Sequence, residues 1–148
     1  RRFSKSRVEN NMLAITDINP PLDYIGSFTY PQKSILKIKD LLDKNDIGLL
    51  LFVFPHGHVV DETEWRIGRL EYGFKIGKVY SNKPHEDLIN WAQEQGIITY
   101  DLMQKMRETS YEKKLFFDQD GHWTVDGHRV AAESLRDFLL KSALLPYP

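Results

Sequence analysis

The stretch "FFDQDGHWTVDGHRVAAESL", residues 116–135, holds three Asp, a Trp and two of the five His in the chain. Asp120-Gly121-His122 has the spacing of a catalytic pair. Residues i and i+2 of an extended loop point the same way, and glycine lets the backbone between them turn tightly. The carboxylate then accepts one imidazole N–H, fixes the tautomer and leaves the other ring nitrogen as a base. The alternative is structural: Asp120 caps a turn and His122 packs against Trp123. Asp126-Gly127-His128 repeats the triplet, but at the start of a helical pattern, where an acid serves as a cap or favours the dipole.

His56-Gly57-His58 follows an apolar run directly and supplies candidate substrate contacts, His56 and His58. Two His one residue apart can also ligate a metal, with Asp120, His122 or His128 completing the set. No further ligand spacing supports that, so neither a metal nor another cofactor is expected. None of the eight serines lies in a Gly-x-Ser-x-Gly elbow. Ser27, in "YIGSFTY", comes nearest to a nucleophile turn but lacks a buried strand before it. There are no cysteines, which excludes disulfides, thiolate metal sites and cysteine nucleophiles.

These residues need elements to hold them. "GLLLFVFP", residues 48–55, is an unbroken apolar run that suits a strand covered on both faces. "IITYD" predicts a second strand, ending on Asp101. "QKSILKIKDLLDKND" has helical spacing. "PHEDLINWAQEQG" starts with Pro84 in a first turn and stops at Gly96. One short helix is expected over residues 61–72, a loop or short helix from Leu102, and a final amphipathic helix capped by Thr124 or Asp126. Residues 1–31, rich in Pro, read as an arm or connecting segment closed by Pro31, and residues 32–148 as the domain. Helices alternating with buried strands give an α/β fold with a parallel sheet. Ligands then bind beyond the carboxyl ends of the strands, where His56, His58 and Asp101 fall.

The 148 residues fit one domain, and 41% hydrophobic residues suffice for a core. Twenty Lys plus Arg against 21 Asp plus Glu give no basic excess for nucleic acid. No apolar run approaches the ~20 residues of a membrane span. The chain lacks an initiating Met, which suggests processing or a piece of something longer.

Residues 115–135, "LFFDQDGHWTVDGHRVAAESL", resemble the last sequence block of the SGNH (GDSL-type) hydrolase superfamily, where Asp-x-His-Trp precedes an Ala-rich helix. "DIGLLLFVFPHGH" resembles the penultimate strand, and "PHEDLINWAQEQGIITYDLMQKM" the helix and strand before the final loop. The resemblance implies a flavodoxin-like three-layer α/β sandwich, incomplete in this chain. It implies serine acyl transfer on esters, often acetyl groups on carbohydrates, by an esterase, deacetylase or O-acyltransferase without metal. His122 becomes the general base and Asp120 its orienting partner. Many members place Asp three residues before His, where Gln119 stands; Asp118 is the reserve. The Gly-Asp-Ser block, the oxyanion glycine and the Asn block belong upstream and are absent, so an N-terminal portion of the same domain is expected to supply the serine. Two alternatives are a non-catalytic SGNH-like binding domain and a metal hydrolase built on His56 and His58.

Overall fold

The structure, a computed structural model, describes residues 24–142 and Leu144. The first element is helix α1, Tyr24–Asp43, which contains Pro31. The sequence placed the end of an irregular segment at Pro31, but the helix runs through it. Pro31 lies on the exposed side, so it removes one backbone donor there without forcing a ring into the core.

Strand β1, Leu50–Val53, pairs in parallel with β2, Ile98–Asp101, in the register Leu50↔Ile98 to Val53↔Asp101. The ladder continues where the Leu102 amide donates to the Val53 carbonyl at 3.0 Å. Both strands therefore end at one edge. The β1 side chains are only partly covered before Val53, so burial is less complete than the apolar run suggested. Between the strands come a single helical turn α2, Gly57–Val60, and helix α3, Lys83–Glu94. Pro84 sits in the first turn of α3, and Gly96, at φ 68°, takes the left-handed conformation that ends it. Helix α4, Met103–Ser110, follows β2, and α5, Val125–Lys141, closes the described chain. Thr124 caps α5, its Oγ1 accepting from the Gly127 amide at 3.2 Å.

The helix expected over residues 61–72 is absent; turns lead into a short 3-10 segment, Gly68–Tyr72. Its neighbours are held by Arg69, which is fully buried. The guanidinium donates to the carbonyls of Asp61, Glu64, Trp65, Lys75 and Lys78. Carbonyls captured in this way are lost to a regular helix. Burial lowers the Arg69 pKa, while Tyr80, Asp61 and Glu64 oppose that shift.

The core gathers Val60, Trp65, Phe74, Leu102, Met106, Leu115, Phe116, Val130 and Ala131. Each large apolar side chain buried there contributes about 1.5–3 kcal/mol. The architecture is α/β with a small parallel sheet. Among the described residues no helix is long and apolar enough to cross a membrane.

Candidate active site

The Asp120–His122 loop is a tight excursion between Leu115 and α5. Phe116 and Trp123 form an antiparallel bridge across its base, and the Phe117 amide donates to the His122 carbonyl at 3.0 Å. At its tip Asp120 Oδ1 accepts from the His122 backbone amide at 2.9 Å and lies 3.1 Å from His122 Nδ1. An ionised carboxylate only accepts, so this contact places the proton on Nδ1 and leaves Nε2 as the basic atom. The His122 and Asp120 side chains are 87% and 61% exposed.

Three groups dock this exposed loop on the core. Glu64 is buried, and its two carboxylate oxygens accept from the Leu115 and Phe116 amides at 3.0 and 2.8 Å. Burial raises the Glu64 pKa, against the pull of those two amides and of Lys114. Gly68 is the second. Its amide and that of Ile67 donate to the Asp118 carbonyl at 2.8 and 2.7 Å, and a Cβ on Gly68 would stand 2.1 Å from the Gln119 carbonyl oxygen. Trp65 is the third, held at φ 50°, a backbone conformation uncommon for so bulky a residue. Its indole ring lies against Gly121, with Cε2 at 3.6 Å from the position of a Cβ there.

Asp118 is occupied elsewhere. Its carboxylate pairs with Lys114 at 2.9 Å, and that bond holds its pKa below the ordinary range. Asp126 pairs with Arg129 at 2.8 Å in the first turn of α5, and His128 packs edge-on against Trp123. Of the two triplets, only the first brings its carboxylate to its own imidazole.

Phe54, directly after β1, meets Trp123 edge to face at 4.9 Å. That contact sets the loop at the strand edge. Phe54 is also the wall between two cavities, each of about 350 Å³. The first is bordered by Phe52, Phe54, Gly121, His122, Trp123 and His128. The second contains His56, His58, Ser81, Asn82 and His85. His58 is 2% exposed and stacks on Phe74 at 4.0 Å. Burial, with His56 and Arg69 nearby, lowers its pKa to about 3. His56 is exposed at its surface, yet partial desolvation lowers its own pKa as well.

His85 went unremarked in the sequence, yet its Nε2 lies 2.5 Å from Asp101 Oδ1. Burial pushes the Asp101 carboxyl up, but His85, the Met103 amide and Arg107 outweigh it and hold the pKa below the ordinary value. Sequence offered one partial signal, an acid at a strand end. Among the described residues no group of three or more His, Cys, Asp or Glu gathers as a metal site, around His56 and His58 or elsewhere. Ser27 falls within α1, so the strand-then-turn setting of a nucleophile is not found there; its side chain lies outside the described residues.

The sequence as a whole is similar to the SGNH hydrolase-like domains. The chain belongs to that family: the model of the SGNH hydrolase-like domain of acetyltransferase AlgX matches residues 26–146. Among curated proteins it is similar to the probable alginate O-acetylase AlgJ of Pseudomonas putida, 27% identical over 112 residues, which are 73% of this chain and 26% of the relative. The chain thus spans about a quarter of that relative's length. Among solved structures it resembles the O-acetyltransferase domain of Pseudomonas putida AlgJ, with a TM-score of 0.56 and 22% identity over 100% of this chain and 44% of that one. At that identity the likeness concerns the fold.

Proposed function

We propose that the chain carries the acid–base part of an SGNH-like O-acyltransferase that moves acetyl groups on a carbohydrate, as the name of the AlgJ relative suggests for that protein. The observation that supports this most is the Asp120–His122 contact at the β1 edge in a chain of this family. His122 Nε2 takes the proton of a serine hydroxyl as its oxygen attacks the acyl carbon. The imidazolium, stabilised by Asp120, returns the proton to the departing alkoxide. An acceptor hydroxyl then attacks the acyl-serine, with His122 again as base. His56 and His58 are the substrate-contacting residues of this reading. The serine and the donors for the oxyanion come from sequence outside this chain, supplied by the rest of the parent protein.

The test uses the parent protein with p-nitrophenyl acetate as acyl donor. Turnover that disappears with His122→Ala, and falls less with Asp120→Asn, supports the reading. Turnover that survives His122→Ala overturns it. A parent without any acyl-transfer activity points instead to a binding domain.

A further inference from the structure

We propose that the excursion between α2 and α3, residues 61–82, carries a docking surface for an anionic lipid bilayer, with Ile76 at its tip and Lys75 and Lys78 beside it. Docking there brings the neighbouring Asp120–His122 turn to the membrane face. Lipid docking is independent of the acyl-transfer chemistry proposed above.

The first observation is how this excursion is built. Its one named element is the short 3-10 segment Gly68–Tyr72, and irregular connections this long are uncommon unless they have a task. It is nonetheless fixed. Arg69 Nη1 donates to the carbonyls of both Lys75 and Lys78, at 3.1 and 2.8 Å, which closes a turn around Ile76 and Gly77. Gly77 takes φ 73°, the left-handed conformation such a turn needs, and a Cβ there would meet no atom within 4 Å. The Lys75 amide donates to the Tyr80 hydroxyl at 2.9 Å, and the Gly77 amide to the Glu62 carbonyl at 3.3 Å. Burying a guanidinium is costly, and here it holds a surface loop in place. The tip is therefore presented in one conformation, and binding need not order it further.

The second observation is what the loop exposes. Ile67, Leu70, Ile76 and Val79 are each 45–54% exposed. Ile67 and Leu70 stand three residues apart, the spacing at which 3-10 side chains eclipse, so they share one side. Arg66, Lys75 and Lys78 are exposed among them, against a single acid, Glu71, between residues 66 and 79. Among the described residues none of these three cations forms an ion pair. The Lys78 ammonium lies 4.6 Å from the centre of the Tyr80 ring, which leaves its charge uncompensated. The whole chain has a net charge of -1, so this positive charge is local.

Residue type decides the partner. Protein interfaces favour aromatic residues, Met and Arg, and are poor in Lys. A hydrated polyanion meets the cations but leaves the aliphatic side chains in water. Here the exposed apolar groups are aliphatic, Phe74 is buried, and the charges beside the tip are Lys. Aliphatic side chains entering the headgroup boundary, with Lys at the phosphates, are the chemistry that an anionic bilayer surface rewards. The loop is also tied to the active turn, because the Ile67 and Gly68 amides donate to the Asp118 carbonyl.

The test is co-sedimentation of the purified chain with phosphatidylcholine vesicles, with and without phosphatidylglycerol. The chain is expected to bind the anionic vesicles, and the neutral ones at least about tenfold more weakly. Ile76→Asp, and Lys75→Glu combined with Lys78→Glu, should each weaken binding at least about tenfold, since each cation near an anionic surface is worth several-fold. Leu41→Asp, at an exposed apolar position on α1, should leave binding unchanged. No binding to anionic vesicles, equal binding to neutral ones, or an equal loss with Leu41→Asp overturns the proposal. Binding that Ile76→Asp leaves intact also overturns it, and points to a hydrated polyanion as the occupant. Turnover of p-nitrophenyl acetate needs no membrane. Turnover in the parent that depends on His122, without vesicle binding by the chain, sinks the docking surface alone; vesicle binding with turnover that survives His122→Ala sinks the acyl-transfer reading alone.

Discussion

The two carboxylate–imidazole pairs of this chain are made in opposite ways. Asp120 and His122 stand two residues apart on an exposed turn, with a contact of 3.1 Å. Asp101 and His85 are 16 residues apart, joining the end of β2 to the start of α3 across 2.5 Å. The His85 side chain is 9% exposed, against 87% for His122. A pair formed within one turn needs almost no tertiary structure to exist, but it needs docking to be aimed. A pair formed between elements is aimed by the fold that creates it. The buried groups around the first pair, Glu64, Gly68 and Trp65, are therefore as much a part of its site as the pair itself.

The largest effect expected concerns the exposed pair. His122→Ala in the parent protein should lower p-nitrophenyl acetate turnover by about 10²–10⁴-fold, the usual contribution of a positioned base. A small loss would mean that the turn is ornamental and that the comparison has the wrong member as the reactive pair.

Docking comes next. Glu64→Ala leaves the buried Leu115 and Phe116 amides without acceptors. At about 1–3 kcal/mol for each unsatisfied group, it should cost roughly 2–5 kcal/mol in urea unfolding. Gly68→Ala drives a methyl against the Gln119 carbonyl and should cost about 1–3 kcal/mol, with a shifted His122 ring resonance in NMR. If that resonance stays in place, the loop is aimed by something other than its docking contacts.

His58→Phe should go the other way, raising stability by about 1–2 kcal/mol, because it removes buried polar atoms that have no partner among the described residues. It also removes a pH dependence. The unfolded chain protonates His58 below about 6.5, whereas the folded chain resists until about 3. The unfolded state therefore binds the extra proton in that window, and stability falls as pH drops from 6.5 towards 3. Thermal melts across this range should show a shallower slope for the variant.

Asp101→Asn is the smallest, under about 1 kcal/mol for a partly exposed pair. The depressed Asp101 pKa gives stability that is present above the unfolded value of 3.8 and lost as pH falls through the folded one. Urea midpoints of the wild-type chain and the variant should converge in acid and separate near neutrality.

This contrast also explains what the sequence showed. The Asp120–His122 contact is a matter of i and i+2 spacing, so a string of letters suffices to suspect it. Both strands announced themselves by apolar runs closed by Pro55 and Asp101, and Pro84 and Gly96 bracketed α3. The choice of Asp120 over Asp118 comes from the sequence, and the Lys114 pair, four residues from Asp118 and ambiguous on paper, adds the reason Asp118 is engaged elsewhere. His85 meeting Asp101 depends on parallel strand register, which no local pattern encodes. Nothing in the sequence around Arg69 and Glu64 says that backbone carbonyls and amides will surround them. Pro31 misled because a proline on an exposed helix face costs a bond without stopping the helix.

Trp65 gives the docked loop an optical signature. Its indole is buried, has no hydrogen-bond partner among the described residues and lies under Gly121, so its emission should be blue and unrelaxed while the Asp120–His122 turn is seated. Lifting the turn admits water to that ring and moves the emission to the red. The tryptophan that supports the turn thus makes its motion visible in a cuvette, without a label and without a substrate.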